Sequence, residues 1–143
     1  MDEAFIFVKI SVIANLHTYN KTEKLKSRKT IEHLFIKGKS LSVFPIKLLY
    51  DLANDSPASL QAGVTVGSRT FKKAVQRNRV KRVLREAYRL QKLPIKTVVE
   101  ERQLQVSVFF IFIGKELPVF SEVYDKLGIL LNKLTEIILK KGT

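Results

Sequence analysis

Two spacings of apolar residues alternate along this chain, one near 3.6 residues and one near 2, and they divide it into helical and extended segments. Between Lys21 and Lys39, Ile31, Leu34 and Phe35 keep helical spacing, with Ser27 placed to cap the start and Gly38 to follow the end of a helix of about three turns. Val43 to Leu52 (VFPIKLLYDL) reads as a strand, with Phe44, Ile46, Leu48 and Tyr50 on one parity and Pro45, Lys47, Leu49 and Asp51 on the other. Pro45 lacks a backbone donor, which favours the start of a strand at a sheet edge. Asn54, Asp55, Ser56 and Pro57 supply turn chemistry, and Leu60 to Val66 follows as a second strand, whose Gly63 marks a bulge or a close backbone approach. Two strands joined by so short a loop are expected to pair as an antiparallel hairpin.

A loop from Gly67 to Phe71 then feeds a helix of about 18 residues that stops before Pro94, spanning roughly 27 Å. Lys92 to Gln103 reads as a connection in which the Glu101-Arg102-Gln103 stretch adds a short turn of helix. Gln105 to Ile113 (QVSVFFIFI) is the most apolar strand and is expected to be central and covered on at least one face. From Pro118 to Lys140, Phe120, Val123, Tyr124, Leu127, Leu130, Leu131, Leu134, Ile137 and Ile138 form the stripe of a core-packing helix; a dimerisation stripe is the alternative. The order helix, strand, strand, helix, strand, helix predicts an α+β fold: a small two-layer sandwich with a sheet of three to four strands and helices on one side. One domain is expected over residues 21–141.

Charge changes this picture at one place. Arg69 to Lys92 (RTFKKAVQRNRVKRVLREAYRLQK) holds ten basic residues and one acid, Glu86, and so carries +9 of a net +13. On a helical wheel Val80, Val83, Leu84, Ala87 and Leu90 share one face, and Asn78, Lys81, Arg82, Arg85 and Arg89 the opposite one. A solvated surface helix intersperses opposite charges, whereas this one buries one side and offers the other to a polyanion. Nucleic acid is the polyanion favoured, ahead of an acidic protein or a membrane surface. A basic-zipper reader would continue into heptads, which Pro94 forbids, and a helix-turn-helix would need a helix where a strand and loop stand. RNA, gripped through its backbone and through unpaired bases stacked on aromatics, suits nine Phe and four Tyr.

The remaining chemistry is mostly excluded. Absence of cysteine removes disulfides, thiol nucleophiles and Cys-ligated metals, and fits a reducing cytosol. Nucleotide-binding glycine loops and the zinc-protease and serine-hydrolase motifs are missing, and the acids are scattered, so no catalytic or metal site is expected. His33 has only His17 as a companion, which speaks against a paired-histidine nuclease and for an exposed or partly packed side chain. Phe35 fits either the core or a ligand face, and spacing alone favours the core. Residues 1–20 read as an extension: Asp2, Glu3 and Lys9 argue against a secretory signal, and the apolar run is shorter than the ~20 residues of a membrane span. An accessory strand, a disordered extension and a start placed too far upstream stay open.

One run is specific. Arg77 to Arg89 (RNRVKRVLREAYR) closely resembles the RNR-motif helix of the protein subunit of bacterial ribonuclease P. LKSRKTIEHLFIKGKS resembles that family's first helix, FPIKLLY its first strand, and AGVTVGSRTFKKAVQRN its second strand and basic loop, so the likeness covers about Glu23 to Leu139. The resemblance implies a cytoplasmic protein whose partners are a catalytic RNA subunit and precursor tRNA, with no membrane and no obligate protein partner. It promotes endonucleolytic removal of the 5′ leader, while the RNA and its Mg²⁺ carry the chemistry. It also implies a left-handed βαβ crossover, against the usual rule. Carried over by position, Arg69, Lys72, Lys73, Arg77, Asn78, Arg79, Lys81, Arg82, Arg85 and Arg89 would meet the RNA. Ile31, Phe35, Leu48 and Tyr50 would line a cleft for the single-stranded leader. Ser68 and Arg69 stand where the family commonly has two basic residues, and Ile31 where an aromatic is common. A ribosomal-type structural RNA-binding protein is the alternative with the same charge and build.

Overall fold

A computed structural model describes residues 19, 21–54, 57–67 and 69–141. The readings made for residues 1–18, and those that rest on Asp55, Ser56 and Ser68, lie outside the described residues.

A short 3-10 turn, Lys21–Glu23, precedes α1 (Arg28–Lys37), β1 (Lys39–Val43), β2 (Ile46–Ala53), β3 (Ser59–Val66), α2 (Ala74–Gln91), α3 (Leu93–Arg102), β4 (Gln105–Phe112) and α4 (Phe120–Lys141). The α+β class and the predicted order hold, with two elements added. The first is β1, a five-residue strand joined to β2 through Phe44 and Pro45, so Pro45 sits in a turn, where its missing donor costs the sheet nothing. The second is α3, which fills most of the expected connection. Pro94 ends the basic helix as expected and also opens α3 from its first turn, where a proline suits helix geometry.

The sheet order is β1-β2-β4-β3, with β1, β2 and β4 antiparallel in turn and β3 parallel to β4. The expected hairpin of β2 with β3 therefore does not form; β4 lies between them. The cause is the two-sided apolarity of β4. Val106, Val108, Phe110 and Phe112 enter the main core, while Phe109 and Ile111 enter or pack on a second cluster across the sheet, and only a central strand is covered on both faces. The parallel pairing of β3 and β4 requires a crossover, which α2 and α3 supply.

The main core joins the sheet to α2, α3 and α4. In α4, Val123, Leu127, Leu130, Leu131, Leu134 and Ile138 are all buried there, so these members of the stripe serve the core, while Phe120 and Tyr124 of the same stripe are exposed. The expectation of helices on one side holds for these three; α1 lies on the opposite face, where Leu34 joins Leu25, Leu49 and Phe109 in the smaller cluster. Ser27 caps α1, its side chain accepting from the Thr30 N–H at 3.4 Å. Gly38 follows α1 in extended backbone, and a Cβ there would lie 2.4 Å from the Leu34 carbonyl oxygen. Gly63 has no bulge; it is the close approach, since a Cβ would lie 2.7 Å from the Phe109 ring.

Tyr19 and residues 21–25 form a strap over the β3 edge. Tyr19 sets its ring edge-on to Tyr88, with centroids 5.5 Å apart, and its hydroxyl donates to the Ala62 carbonyl. Leu25 N–H donates to the same carbonyl at 2.9 Å, and Lys24 makes a parallel bridge to Ala62. Burial pushes the Tyr19 phenol up to about 12; nearby Arg85 lowers it and Glu23 raises it.

Candidate nucleic-acid interface

The wheel drawn from the sequence is the one the fold uses. Along α2, Val80, Leu84, Ala87 and Tyr88 are buried, Val83 packs on the core, and Asn78, Arg79, Arg82 and Arg85 are exposed, with Lys81 half-buried beside them. Burial of one apolar stripe fixes the helix, so its cations form a surface of set curvature and not a mobile tail. The first turn of α2 holds no acid, and exposed Arg69, Lys72 and Lys73 precede it. These cations add to the positive end of the helix dipole, an arrangement that an anion relieves.

Three members of the basic segment have internal work. Arg77 Nη1 donates to the carbonyls of Phe71 and Lys72, each at 2.8 Å, and so ties the basic loop to the helix. Arg89 is paired with Glu86, Nη2 to Oε1 at 2.6 Å, and the bond holds the Glu86 carboxyl below its ordinary range. Lys92 is withdrawn from the surface altogether. It is 1% exposed, with Nζ 2.7 Å from Glu23 Oε1, and Lys96 reaches the same oxygen at 3.3 Å. Nothing in its sequence position separated Lys92 from its neighbours; the partner lies 69 residues away.

The second group divides. Ile31 packs on the smaller cluster, and Phe35 is 55% exposed with its ring edge-on to Phe109 at 5.6 Å, so both belong to the α1 face of the sheet. Phe35 is thus on a ligand-accessible face and not in the core. Leu48 and Tyr50 do not join them. Both are buried in the main core on the other face of the sheet, because strand side chains alternate and these share parity with Ile46. The strand residues facing α1 are Lys47, Leu49 and Asp51, with Phe109 and Ile111 beside them on β4. Sequence held the signal: the uniformly apolar parity of β2 is the core, and the mixed parity, with Lys47 and Asp51, is the open face.

His33 is half exposed, with Nε2 3.3 Å from Asp51 Oδ2. Among the described residues no three side chains of His, Cys, Asp or Glu converge as a group that could hold a metal ion. Among those residues, no helix is long and apolar enough to cross a membrane.

A basic helix docked by its apolar stripe on a four-stranded sheet, with an aromatic-bearing open face behind it, defines a small α+β RNA-binding protein. The family model described as Ribonuclease P matches residues 19–135. The ribonuclease P protein component of Porphyromonas gingivalis is 39% identical over 105 residues, covering 73% of this chain and 77% of that one. The corresponding protein of Chlorobium phaeobacteroides is 32% identical over 137 residues, covering 86% and 93%. Among solved structures, the ribonuclease P protein of Thermotoga maritima superposes with a TM-score of 0.61 at 27% identity, over 78% of this chain and 96% of that one. That of Staphylococcus aureus, at 17% identity and a TM-score of 0.62 over 80% and 96%, shares the fold. The chain belongs to the ribonuclease P protein family.

Proposed function

We propose that this chain is the protein subunit of a bacterial ribonuclease P ribonucleoprotein, holding the catalytic RNA with α2 and the 5′ leader of precursor tRNA on the α1 face. The observation that carries it is the exposed row Asn78, Arg79, Arg82 and Arg85 on a helix fixed by its buried face, in a chain of this family. Arg69, Lys72, Lys73 and Lys81 extend the row, while Arg77 and Arg89 shape it through their internal bonds. Ile31 and Phe35 stay in the leader cleft, with Lys47 and Ile111 taking the places read for Leu48 and Tyr50. Hydrolysis belongs to the RNA and to Mg²⁺ held by the RNA; this chain's residues bind and orient. The setting is the cytoplasm, where precursor tRNA is processed, and the domain runs from Tyr19, which packs against the core.

Reconstitution tests this. The chain alone leaves precursor tRNA intact, and added to its cognate RNA at low magnesium it stimulates leader removal. Cleavage by the protein without RNA, or no stimulation of the RNA, refutes the proposal. Binding of a leader-bearing precursor should exceed that of a leaderless tRNA, and equal binding refutes the role of the α1 face.

A further inference from the structure

From the geometry of the α1 face we infer a second nucleotide subsite, which takes an unstacked leader base by hydrogen bonding. It rests on the reading of that face as leader-binding. Cross-strand register places Asp51, Ser107 and Gln61 in one row and Ala53, Gln105 and Ser59 in the next. The first row lies two residues along the strands from Leu49, Phe109 and Gly63 and the second lies four, and the Phe35 ring meets that of Phe109 edge-on. Together with Lys29, Thr30 and His33 of α1 they enclose an open cavity of about 450 Å³, against ~30 Å³ for one water.

An uncovered sheet face is polar in any protein. Here, however, Ala53, Ser59 and Ser107 are short where long charged side chains would ordinarily fill the space, and the two longer ones, Gln61 and Gln105, are anchored. Gln61 Nε2 donates to the Thr22 carbonyl at 3.3 Å, and Gln105 Nε2 donates to that of Pro57 at 3.2 Å. Each amide thus has its nitrogen engaged and its oxygen left as an acceptor. Ser107 adds a hydroxyl, and the His33–Asp51 pair walls the side toward α1. A flat ring carrying both donors and acceptors is the ligand such a floor suits.

The rim supports an RNA strand in particular. Lys29 lines the cavity, and exposed Lys26 and Arg28 precede it, against a single exposed acid on α1, Glu32. Two residues of strand span ~7 Å, a step that an extended strand covers in one nucleotide. One base would stack on Phe35 and its neighbour would enter the polar cavity, with Lys29 on the phosphate.

The test uses the reconstituted ribonucleoprotein and precursor tRNAs carrying one abasic nucleotide, walked along the leader, with affinity measured for wild type, Phe35→Ala, Ser107→Leu and Lys29→Ala. Wild type should lose affinity at two neighbouring leader positions. Phe35→Ala should make one of them silent, and Ser107→Leu, which fills the cavity, the other. The polar position should be worth about tenfold, ~1.4 kcal/mol, the scale of one or two neutral hydrogen bonds. Lys29→Ala should weaken only leaders long enough to reach the cavity and should carry the test if Ser107→Leu fails to fold. Silencing of the same position by Phe35→Ala and Ser107→Leu, or unchanged binding of every leader by Lys29→Ala, overturns the subsite. Insensitivity of wild type at every leader position overturns the leader-binding reading beneath it.

Discussion

Glu23→Ala takes a carboxylate away from a buried ammonium. The variant removes the carboxylate 2.7 Å from Lys92 Nζ and leaves an ammonium whose side chain is 1% exposed, and the loss of one member of such a buried pair costs ~3–5 kcal/mol. Lys96, about a third exposed, recovers its solvation and adds little to that figure. For a domain of this size the loss lowers Tm by about 10 °C or more. Urea and thermal unfolding followed by circular dichroism measure it. The double variant Glu23→Leu with Lys92→Met removes both charges into apolar groups of similar size and should return to within ~1 kcal/mol of wild type, since the cost lies in keeping a buried charge after its carboxylate is gone. A loss below ~0.5 kcal/mol in Glu23→Ala would show that water or another acid reaches Lys92 and would refute the reasoning. RNA binding supplies a second readout: Lys92→Met, though it deletes one of ten cations in the basic segment, should leave the salt dependence of binding unchanged, because this cation meets no phosphate.

Arg82→Ala and Arg85→Ala should each flatten the log-log dependence of RNA affinity on salt by about one unit of slope, with stability kept, and an unchanged slope would remove them from the phosphate face. Arg77→Ala should differ from these by also loosening the basic loop, seen as faster amide exchange around Phe71 and Lys72, because its guanidinium bridges their carbonyls. Gly63→Ala forces the Phe109 ring aside and should cost ~1–3 kcal/mol, with a matching loss of leader affinity if Phe35 moves with its stacking partner; full leader affinity would uncouple the two rings. Stability should also fall as pH rises from 10 to about 12, the window between the unfolded Tyr19 phenol and its raised folded value. The folded state binds the extra proton across that window, and burial raises the Tyr88 phenol too, so Tyr19→Phe should lessen this alkaline limb without abolishing it, and an unaltered limb would assign it to Tyr88 and other groups.

The limits of α1, α2 and α4, the two faces of α2 and the central rank of β4 were legible, because each follows from apolar spacing within one segment; α3, read as a connection, was not. Three readings failed for a common reason. The partner of β2 depended on β4, some fifty residues downstream; the face of Leu48 and Tyr50 depended on which side α1 occupies; and the withdrawal of Lys92 depended on Glu23. Each is a long-range relation; for β2 the mixed parity of Lys47 and Asp51 marked the open face, but not that α1 lies over it. The site shows the same division. Arg79, Arg82 and Arg85 could be named from a helical wheel, whereas the polar rows around Ser107 required the register of three strands.

The strap formed by Tyr19 and residues 21–25 has a consequence for solubility. A four-stranded open sheet has two borders with free backbone groups, each a template for another chain. At one border β1 is only five residues long and carries Lys39 and two serines, poor material for self-templating. At the other, eight-residue β3 is apolar enough to recruit a neighbour, and the Lys24–Ala62 bridge and the Leu25 bond occupy its middle. The segment that carries the partner of Lys92 is thus also the guard of the more adhesive border, and a chain beginning at Lys26 would be expected to associate through β3.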